Sequence, residues 1–289
     1  MAHESSPRAA LTVGLVGLGR IGTVLLTALG RFAPDVAVLA SGREPERVAG
    51  AVADWPMARA VDPQELASTA DLVVLCLPPQ AYRAWIEALA PTMRPGAILV
   101  SVTNAVTLED LGRWCANPVI KIIPSPAHAV GRGACLLTAG PRATAEQVER
   151  VRALFARFCR PVLTDPADAR IASNLAGCAP AILAAFCASF LDANAARAQA
   201  LDPEALRAML AESVGALAAL LDEGASFEDV MRRTATPGGT TEAAIDALAA
   251  DGPALCARIV EATFQREAQL LGIPPPRSSP ATPGTPVRG

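Results

Sequence analysis

The feature that most constrains the fold is a change of pattern near residue 164. Before it, apolar runs of strand length alternate with segments of helical periodicity, and after it the strand-like runs stop. The apolar runs cover residues 11–16, 36–40, 71–77, 97–102, 119–123 and, as a sixth candidate, 133–138. The helical segments lie near 20–32, 62–69, 79–92, 107–115 and 144–158. Continuous apolar strands joined through helices are typical of a parallel sheet that is covered on both faces.

The second half of the chain is predicted to be all helical. Residues 165–200 form a long, alanine-rich segment that Pro180 should bend or break, because proline lacks the N–H of a helical hydrogen bond. Further helix starts are predicted at Asp202, Ser226, Thr240 and Asp251. Several of these helices are apolar nearly all round and therefore need burial on every side. We expect this half to form the interface of a homodimer or of a higher assembly of dimers.

Composition excludes several classes of protein. The hydrophobic fraction of 52% and the net charge of −3 exclude a disordered chain, and the lack of a basic block makes nucleic acid an unexpected partner. No apolar run reaches the length of a membrane span, about 18 residues, without polar interruption, and the first residues do not resemble a secretory signal. The seven cysteines form no C-x-x-C pair, which predicts reduced thiols in a cytoplasmic protein and no metal site.

The turn after the first predicted strand carries a G-x-G-x-x-G motif, Gly17-Leu18-Gly19-Arg20-Ile21-Gly22. The first glycine permits the tight turn, the second lets a pyrophosphate approach the backbone, and the third lets the helix pack closely on the strand. The N-terminus of the helix then faces the phosphates. We therefore predict a dinucleotide site at residues 17–22. The alternative is a glycine-rich turn with no ligand.

Together these patterns predict the fold class α/β, a Rossmann-type doubly wound parallel sheet followed by an all-helical dimerisation domain. The dinucleotide-binding domain is predicted to span residues 9–163, and the helical dimerisation and substrate domain residues 164–273. Residues 274–289 form a tail rich in proline, serine and threonine that is predicted to be disordered.

The residues after the second strand bear on which dinucleotide binds. An NAD site usually places Asp or Glu there for the ribose hydroxyls, whereas this chain has Ser41 and Arg43. Ser41 can donate a hydrogen bond and Arg43 can pair with a 2′-phosphate, which favours NADPH. In the alternative, Arg43 is a solvated loop residue and Glu44 binds the ribose of NADH.

A second anion-binding pattern lies in the helical half, at residues 234–242. Two glycines and four threonines precede an alanine-rich helix there. Such a turn offers free backbone N–H groups, hydroxyl donors and the positive end of a helix, which together suit a carboxylate. An elaborate helix cap without a ligand explains the same pattern equally well.

Six motifs, in order along residues 11–270, resemble those of the pyrroline-5-carboxylate reductases. They are the glycine motif, Ser41-x-Arg43, Pro79-Gln80, residues 123–126 (Ile-Pro-Ser-Pro), residues 176–181 (Ala-Gly-Cys-Ala-Pro-Ala) and residues 236–241 (Thr-Pro-Gly-Gly-Thr-Thr). The resemblance implies a Rossmann domain, a helical dimerisation domain and the NAD(P)H-dependent reduction of a cyclic imine, pyrroline-5-carboxylate, to proline.

The resemblance also implies roles for individual residues. Those implied to bind the cofactor are Gly17, Leu18, Gly19, Arg20, Ile21, Gly22, Ser41, Arg43, Leu77, Pro78 and Pro79. Those implied to hold the substrate carboxylate are Thr236, Gly238, Gly239, Thr240 and Thr241. By the same match Thr241 lies near the imine nitrogen and is the catalytic residue.

Several positions depart from the family's pattern. The family's Met-Pro-Asn-Thr-Pro reads Ile-Pro-Ser-Pro-Ala at residues 123–127, its Lys before Pro-Gln is Pro78, and its Tyr after Pro-Ala is Ile182. The segments 122–125 (Ile-Ile-Pro-Ser) and 170–178 resemble a divergent, competence-associated branch more closely. These departures leave two alternatives open, a paralogous oxidoreductase for another imino or keto acid and a non-catalytic, dinucleotide-binding regulatory protein.

The implied reaction asks little of the side chains, because the cofactor supplies the hydride and the protein holds a carboxylate and orients the C=N carbon. Water or the Thr241 hydroxyl can deliver the proton to the nitrogen. His128, which follows the turn at Pro124–Pro126, could act as a local acid, but a polar loop side chain is the simpler interpretation. The cysteines are interpreted as small core residues.

Overall fold

The computed structural model describes residues 11–274. Its strands are β1 (Thr12–Val16), β2 (Ala37–Ser41), β3 (Ala58–Ala60), β4 (Leu72–Leu75), β5 (Ile98–Ser101), β6 (Val119–Ile123), β7 (Ala134–Ala139) and β8 (Arg160–Leu163). They form one eight-stranded sheet in the order β3-β2-β1-β4-β5-β6-β7-β8. The order reverses direction at β1, and in open α/β sheets ligands bind at the carboxyl ends of the strands beside such a reversal.

The helices described within residues 11–274 begin with those that cover the sheet. These are α1 (Arg20–Phe32), α2 (Pro45–Val52), α3 (Pro63–Thr69), α4 (Pro79–Leu89), α5 (Leu108–Trp114) and α6 (Ala145–Phe155). The remaining helices are α7 (Ala169–Ser173), α8 (Ala179–Ala195), α9 (Pro203–Asp222), α10 (Phe227–Thr234) and α11 (Thr240–Leu271).

Both faces of the sheet are buried, as the uninterrupted apolar strands predict. One apolar cluster contains Leu25 of α1, Val48 of α2 and Val151 of α6, packed on one face. The second apolar cluster lies on the opposite face and contains Leu66 of α3 together with buried side chains of α4 and α5. The Rossmann-type sheet followed by a helical domain is therefore confirmed.

The sheet departs from the predicted parallel arrangement at β7. This strand confirms the sixth candidate run, but it pairs antiparallel with β6, with Ile123 opposite Leu136. Only residues 124–133 connect the two strands, whereas a parallel return needs a crossover of about a dozen residues or more. The short connection therefore forces an antiparallel pair.

Three elements of the sheet region were not predicted. β3 is the three-residue segment Ala-Arg-Ala, and β8 is an outer strand that contains Pro161, so neither is an apolar run. The side chains of Val162 and Leu163 in β8 are 41% and 67% exposed. The helix α2 has Pro45 at its first position, a start signal that the sequence analysis overlooked.

The chain divides into two compact units between Ala179 and Pro180, which we call the sheet unit and the helical unit. The predicted boundary at residues 163/164 lies earlier. The difference arises because residues 174–178, a π-helical turn after α7, pack against β7. Pro180 follows this turn at the start of α8, so the predicted break is a local widening of the helix just before the proline.

Two of the predicted helix starts in the helical unit are confirmed with their caps. The carboxylate of Asp202 accepts a hydrogen bond from the N–H of Ala205 at 2.7 Å, and Pro203 occupies the first helical position. Ser226 and Asp229 form a reciprocal capping box at the start of α10. Both helices therefore begin where the sequence pattern places them.

The prediction of a new helix at Asp251 is wrong. One helix, α11, runs from Thr240 to Leu271 with Pro253 inside it. Proline has the backbone φ of a helix, so it can continue one at the loss of a single hydrogen bond and some crowding of the preceding turn. The Asp-Gly-Pro pattern therefore resembles a helix start without being one.

The helical unit buries almost none of its side chains. Of those described from Pro180 onward, Ala268 alone is buried. Leu183, Phe186 and Phe190 of α8 are 61%, 49% and 52% exposed, and the two phenylalanine rings stack at 6.4 Å. An apolar surface of this kind is stable only when another surface covers it.

The stretch Ala169–Ala195 is long and apolar enough, by length and composition alone, to cross a membrane, with a mean hydropathy of 1.7. The core helix of a water-exposed protein passes the same test. Of the tail that the sequence analysis predicts to be disordered, residues 275–289 lie outside the described residues.

Candidate functional site

The glycine motif forms the turn between β1 and α1, at the carboxyl edge of the sheet. Gly17 has φ +90°, which L side chains rarely adopt, and its N–H donates to the carbonyl of Ser41 at 2.7 Å. A Cβ at Gly22 would lie 2.0 Å from the carbonyl oxygen of Gly17, so the close packing of α1 on the turn excludes any side chain there. The first and third glycines are therefore required by the fold itself.

Gly19 differs, because no atom of the described residues lies within 4 Å of the position that its Cβ would take. Gly19 is also the N-cap of α1, and no side chain caps that helix or adds an acid to its first turn. The first N–H groups of α1 thus face open space with the positive end of the helix dipole behind them. This arrangement fits the pyrophosphate of a dinucleotide.

Arg43 and Glu44 follow β2 and differ in their contacts. Arg43 is exposed and makes no hydrogen bond or ion pair within residues 11–274. The carboxylate of Glu44 lies 4.0 Å from the guanidinium of Arg47, a weak contact between exposed groups. Ser41 is buried at the end of β2. The geometry thus leaves a guanidinium available beside the dinucleotide turn, where a 2′-phosphate would need one.

The turn after β4 lies against the glycine motif. A Cβ at Gly17 would be 3.0 Å from both the carbonyl oxygen of Cys76 and the side chain of Leu77. Pro78 caps α4, and Pro79 is its first residue. Burial raises the pKa of the Cys76 thiol to about 12, so this cysteine is an inert packing residue. Leu77 to Pro79 are therefore next to the glycine turn, as their predicted role requires.

A cleft of about 450 Å³ opens beside the end of β2. Its walls come from that strand end and from the starts of α2 and α3, and include Ser41, Gly42, Pro45, Glu46, Asp62 and Pro63. The cleft is continuous with the segment that carries Arg43, and we treat it as part of the dinucleotide site.

The loop Thr236–Thr241 lies between α10 and α11 in the helical unit. Gly238 has φ +72°, and the N–H of Gly239 donates to the carbonyl of Thr236 at 2.8 Å, which closes a tight turn. A Cβ at Gly239 would lie 2.4 Å from Oγ1 of Thr236. Thr240 begins α11, whose N-cap Gly239 offers no side-chain hydrogen bond.

Several donors of this loop have no partner among the described residues. The hydroxyls of Thr236, Thr240 and Thr241 make no hydrogen bond there, and neither do the first N–H groups of α11. The N–H of Gly238 differs, because it donates to the Glu242 carboxylate at 2.6 Å. The loop thus already holds one carboxylate, and its remaining donors suit a second.

Comparisons with known proteins relate the chain to one family. The family profile described as pyrroline-5-carboxylate reductase dimerisation matches residues 166–270, and the one described as NADP oxidoreductase, coenzyme F420-dependent, matches residues 12–105. The pyrroline-5-carboxylate reductase of Pseudomonas aeruginosa is 28% identical over 271 residues, which cover 92% of this chain and 97% of that protein. The chain is therefore similar to the pyrroline-5-carboxylate reductases along nearly its whole length.

Solved structures agree with this similarity at the level of the fold. The Plasmodium falciparum pyrroline carboxylate reductase, crystallised with NADP bound, matches with a TM-score of 0.76 at 17% identity, over 90% of this chain and 98% of that one. The family's members are of the NAD(P)-dependent reductase type. The dimerisation profile covers the exposed apolar helices, which supports oligomer formation through them.

The comparison does not favour the competence-associated branch of the pyrroline-5-carboxylate reductase family. The ComE operon protein 4 of Bacillus subtilis is 22% identical over 241 residues, covering 82% of this chain and 88% of that protein. This identity is below that of the Pseudomonas aeruginosa reductase. The closer likeness to that branch at residues 122–125 and 170–178 stays a prediction.

Sequence reasoning missed Tyr82, the single tyrosine of the chain. Its hydroxyl donates to the carbonyl of Leu75 at 2.5 Å and accepts from the N–H of Val102 at 3.3 Å. It thereby ties the carboxyl ends of β4 and β5 together beside the dinucleotide turn. Burial raises the pKa of Tyr82 to about 12, so the phenol stays protonated and keeps this donor. No pattern along the sequence marks this contact.

His128 lies in the connection between β6 and β7, where the sequence predicts a polar loop side chain, but it does not lie at the surface. The side chain is fully buried, and its Nδ1 lies 3.0 Å from the carbonyl oxygen of Arg132. Because a carbonyl only accepts, Nδ1 carries the proton and Nε2 is the unprotonated nitrogen. Burial lowers the pKa of His128 below its usual value, which favours this neutral form. Within the described part of the chain, Nε2 has no hydrogen-bond partner.

Two cysteines lie beside this histidine. A ring nitrogen of His128 and the Sγ atoms of Cys135 and Cys159 all lie within 4.8 Å of one another. All seven cysteines are free thiols, as predicted. The expectation of no metal site rested on the spacing of cysteines along the chain, and spacing does not reveal groups that β7 and β8 bring together.

Proposed function

We propose that the protein is an NADPH-dependent reductase of a cyclic imine, with pyrroline-5-carboxylate as the substrate and proline as the product. The observation that carries the proposal is that two helices of this chain begin without a side-chain cap. One is α1 after the glycine motif, and the other is α11 after the loop Thr236–Thr241. The first suits a pyrophosphate and the second a carboxylate.

The cofactor half of the proposal rests on the sheet unit. The N–H groups at Arg20 to Gly22 hold the pyrophosphate, with Gly19 leaving room for it, and Leu77 to Pro79 line the adjoining turn. Arg43 pairs with the 2′-phosphate and Ser41 hydrogen-bonds beside it, which is the reason to name NADPH. When bound, NADPH supplies the hydride that the imine carbon receives.

The substrate half rests on the helical unit. The hydroxyls of Thr236 and Thr240 and the first N–H groups of α11 hold the carboxylate in this proposal, and Gly238 and Gly239 shape the turn that presents them. The Thr241 hydroxyl donates its proton to the imine nitrogen as the nitrogen becomes an amine, and recovers a proton from water. Such a relay requires no group with a pKa near neutrality.

The proposed reaction takes place in the cytoplasm, in a homodimer or a higher assembly of dimers. The exposed apolar side chains of α8 support the assembly, because a lone chain would leave them in water. The seven free thiols support the compartment, since thiols persist in a reducing environment.

A panel assay tests the proposal as a whole. Purified full-length protein is mixed with NADPH or NADH and with pyrroline-5-carboxylate, its six-membered cyclic homologue, or open-chain keto acids, and oxidation of the cofactor is followed. We expect the fastest oxidation with NADPH and pyrroline-5-carboxylate. Preference for a keto acid would replace the substrate, and tight NADPH binding without turnover of any compound would make the protein a regulatory one.

The role of Thr241 has its own test. Thr241→Val keeps the shape of the side chain and removes the hydroxyl, and we expect kcat to fall about tenfold to hundredfold, since water replaces part of the relay. Thr234→Val is the matched control, because the Thr234 hydroxyl donates to the carbonyl of Val230 at 2.8 Å within α10. Equal rates for the two variants and the wild type would remove Thr241 from the mechanism.

A further inference from the structure

A buried cluster in the sheet unit, outside both halves of the proposed site, is formed by His128, Cys135 and Cys159. His128 lies in the connection between β6 and β7, Cys135 in β7, and Cys159 just before β8. Their ligand atoms, one nitrogen and two sulfurs, lie within 4.8 Å of one another. From this juxtaposition we propose a binding site for a thiophilic metal ion of the Zn²⁺ type.

The cluster is separate from the dinucleotide turn. The connection that carries His128 contacts the C-terminal end of α1, where Arg31 donates to the carbonyl of Ala129 at 3.1 Å. The glycine motif lies at the other end of this helix, which has 13 residues and is therefore about 20 Å long. The site consequently does not depend on the proposed reaction.

The donor set is one that zinc prefers. Thiolates and imidazole bind Zn²⁺ at about 2.3 Å and 2.0–2.1 Å, and three protein ligands leave a fourth position for water or another small ligand. The Sγ atoms of Cys135 and Cys159 are 3.1 Å apart. A tetrahedral ion would space them about 3.8 Å apart, so the two thiols need to separate by less than about 1 Å.

His128 provides the second observation. Its Nδ1–H donates to the Arg132 carbonyl, and metal-bound histidines typically hold their other ring nitrogen through such a hydrogen bond. Its Nε2 is buried and has no partner in residues 11–274, which leaves an unsatisfied acceptor in the core. A metal ion would satisfy that nitrogen, whereas a Cys135–Cys159 disulfide would leave it unpaired.

The surroundings of the cluster are closed. His128 and Cys135 are fully buried, and Cys159 is half-buried. The ring of Phe158 lies 6.3 Å from that of His128. The Ser125 hydroxyl is also buried without a hydrogen-bond partner. It lies close to Gly133, on the same turn as His128. A site of this kind binds its ion in a dry pocket, where charge neutralisation by two thiolates is favourable.

The test uses the full chain, reduced and stripped of metal with a chelator, and Co²⁺ as the probe. We expect one Co²⁺ per chain with thiolate charge-transfer absorption and the visible bands of a tetrahedral ion, and full displacement by Zn²⁺. Cys135→Ser and Cys159→Ser should each weaken binding at least about tenfold, because a first ligand contributes no less than the groups that orient it.

Cys115→Ser is the matched control, since Cys115 is equally buried and lies outside the cluster. It should bind Co²⁺ like the wild type, and an equal loss in this variant would overturn the proposal by showing unspecific thiol binding. A stabilisation assay needs no variant: Zn²⁺, but not Mg²⁺, should raise the Tm of the wild type. If Zn²⁺ does not raise the Tm and Co²⁺ gives no thiolate absorption, the proposed site is overturned. It is also overturned if the protein takes up no metal and peptide mapping finds a Cys135–Cys159 disulfide.

Discussion

At the scale of single residues, the proposed preference for the phosphorylated dinucleotide depends on Arg43. Its guanidinium is exposed and has no partner in residues 11–274, so none of these residues competes for it. We expect Arg43→Ala to weaken NADPH binding about tenfold to hundredfold, the value of a hydrogen bond between charged groups, and to leave NADH nearly unchanged. Titration of both reduced cofactors by fluorescence measures the two changes.

Arg47→Ala is the control for that measurement. Arg47 is one turn away, and its guanidinium faces Glu44 at 4.0 Å. Removing it subtracts the same charge from the same part of the chain and should change the two affinities alike. If Arg43→Ala also lowered the two affinities alike, Arg43 would act through charge alone and the assignment to the 2′-phosphate would be wrong.

Substitution by alanine should change the free energy of unfolding in opposite directions at Gly22 and Gly50. A Cβ at Gly22 would press against the carbonyl of Gly17 at 2.0 Å, so Gly22→Ala must shift the turn and should destabilise the fold by about 1–3 kcal/mol. Gly50 lies in α2 with nothing within 4 Å of its Cβ position, so Gly50→Ala should stabilise it by about 0.5–1 kcal/mol. Urea unfolding of both variants measures the changes. Similar stability for the two variants would contradict the packing described here.

Residue roles that depend on neighbours in the chain could be predicted, and those that depend on neighbours in space could not. The turn at the glycine motif could be predicted, because its strand, turn and helix follow one another directly along the chain. The cluster of His128, Cys135 and Cys159 forms only after β7 has turned antiparallel to β6 and β8 has paired with β7. Tyr82 joins two strand ends in the same way, and no local pattern reveals that contact.

At the scale of elements, α11 gives a test of helix continuity. Pro253 lies inside this helix, where proline is about 3 kcal/mol less favourable than alanine. We expect Pro253→Ala to stabilise the protein by about 1–3 kcal/mol in denaturant unfolding at a fixed protein concentration.

Pro203→Ala is the control, because Pro203 is the first residue of α9 and its missing N–H has no helical acceptor there. This change should stay within about 0.5 kcal/mol. If Pro253→Ala were neutral or destabilising, the helix would begin anew at the proline, as the Asp-Gly-Pro pattern had indicated.

Strands could be predicted where both of their faces are buried, and helices could be predicted where a capping residue marks their start. The central strands β1, β4, β5 and β6 each have a mostly apolar sequence. β3 and β8 lie at the two edges of the sheet, where half of the side chains meet solvent and the run is lost. The caps at Asp202 and Ser226 act through residues three positions away and could therefore be read directly.

At the scale of the whole molecule, the helical unit is expected to depend on association. Phe186 is 49% exposed and stacks on Phe190, so Phe186→Asp would place a charge on the apolar surface of α8. We expect a smaller assembly by light scattering after gel filtration, and a lower Tm, because an assembly that binds the folded state stabilises it.

Val130→Asp serves as the comparison. Val130 is 64% exposed in the sheet unit and should accept a charge without changing the assembly. A monomeric wild type, or an unchanged assembly in Phe186→Asp, would contradict association through this surface. The sequence predicted association because several helices are apolar on all sides. The limits of the two units could not be predicted, because they depend on how the turn after α7 packs and no periodicity in the sequence shows that packing.

The outer strand β8 has a consequence for how the molecules behave at high concentration. The N–H groups of Arg160 and Thr164 donate inward, to the carbonyls of Gly133 and Leu137, both at 2.9 Å. In a parallel ladder alternate residues point the other way, so positions 161 and 163 face outward. Pro161 has no N–H to offer at the first of these positions. A strand from another molecule would therefore find only half of the N–H donors that it needs at this edge. The missing donor protects the edge, which exposes Val162 and Leu163, against pairing with further strands and aggregation.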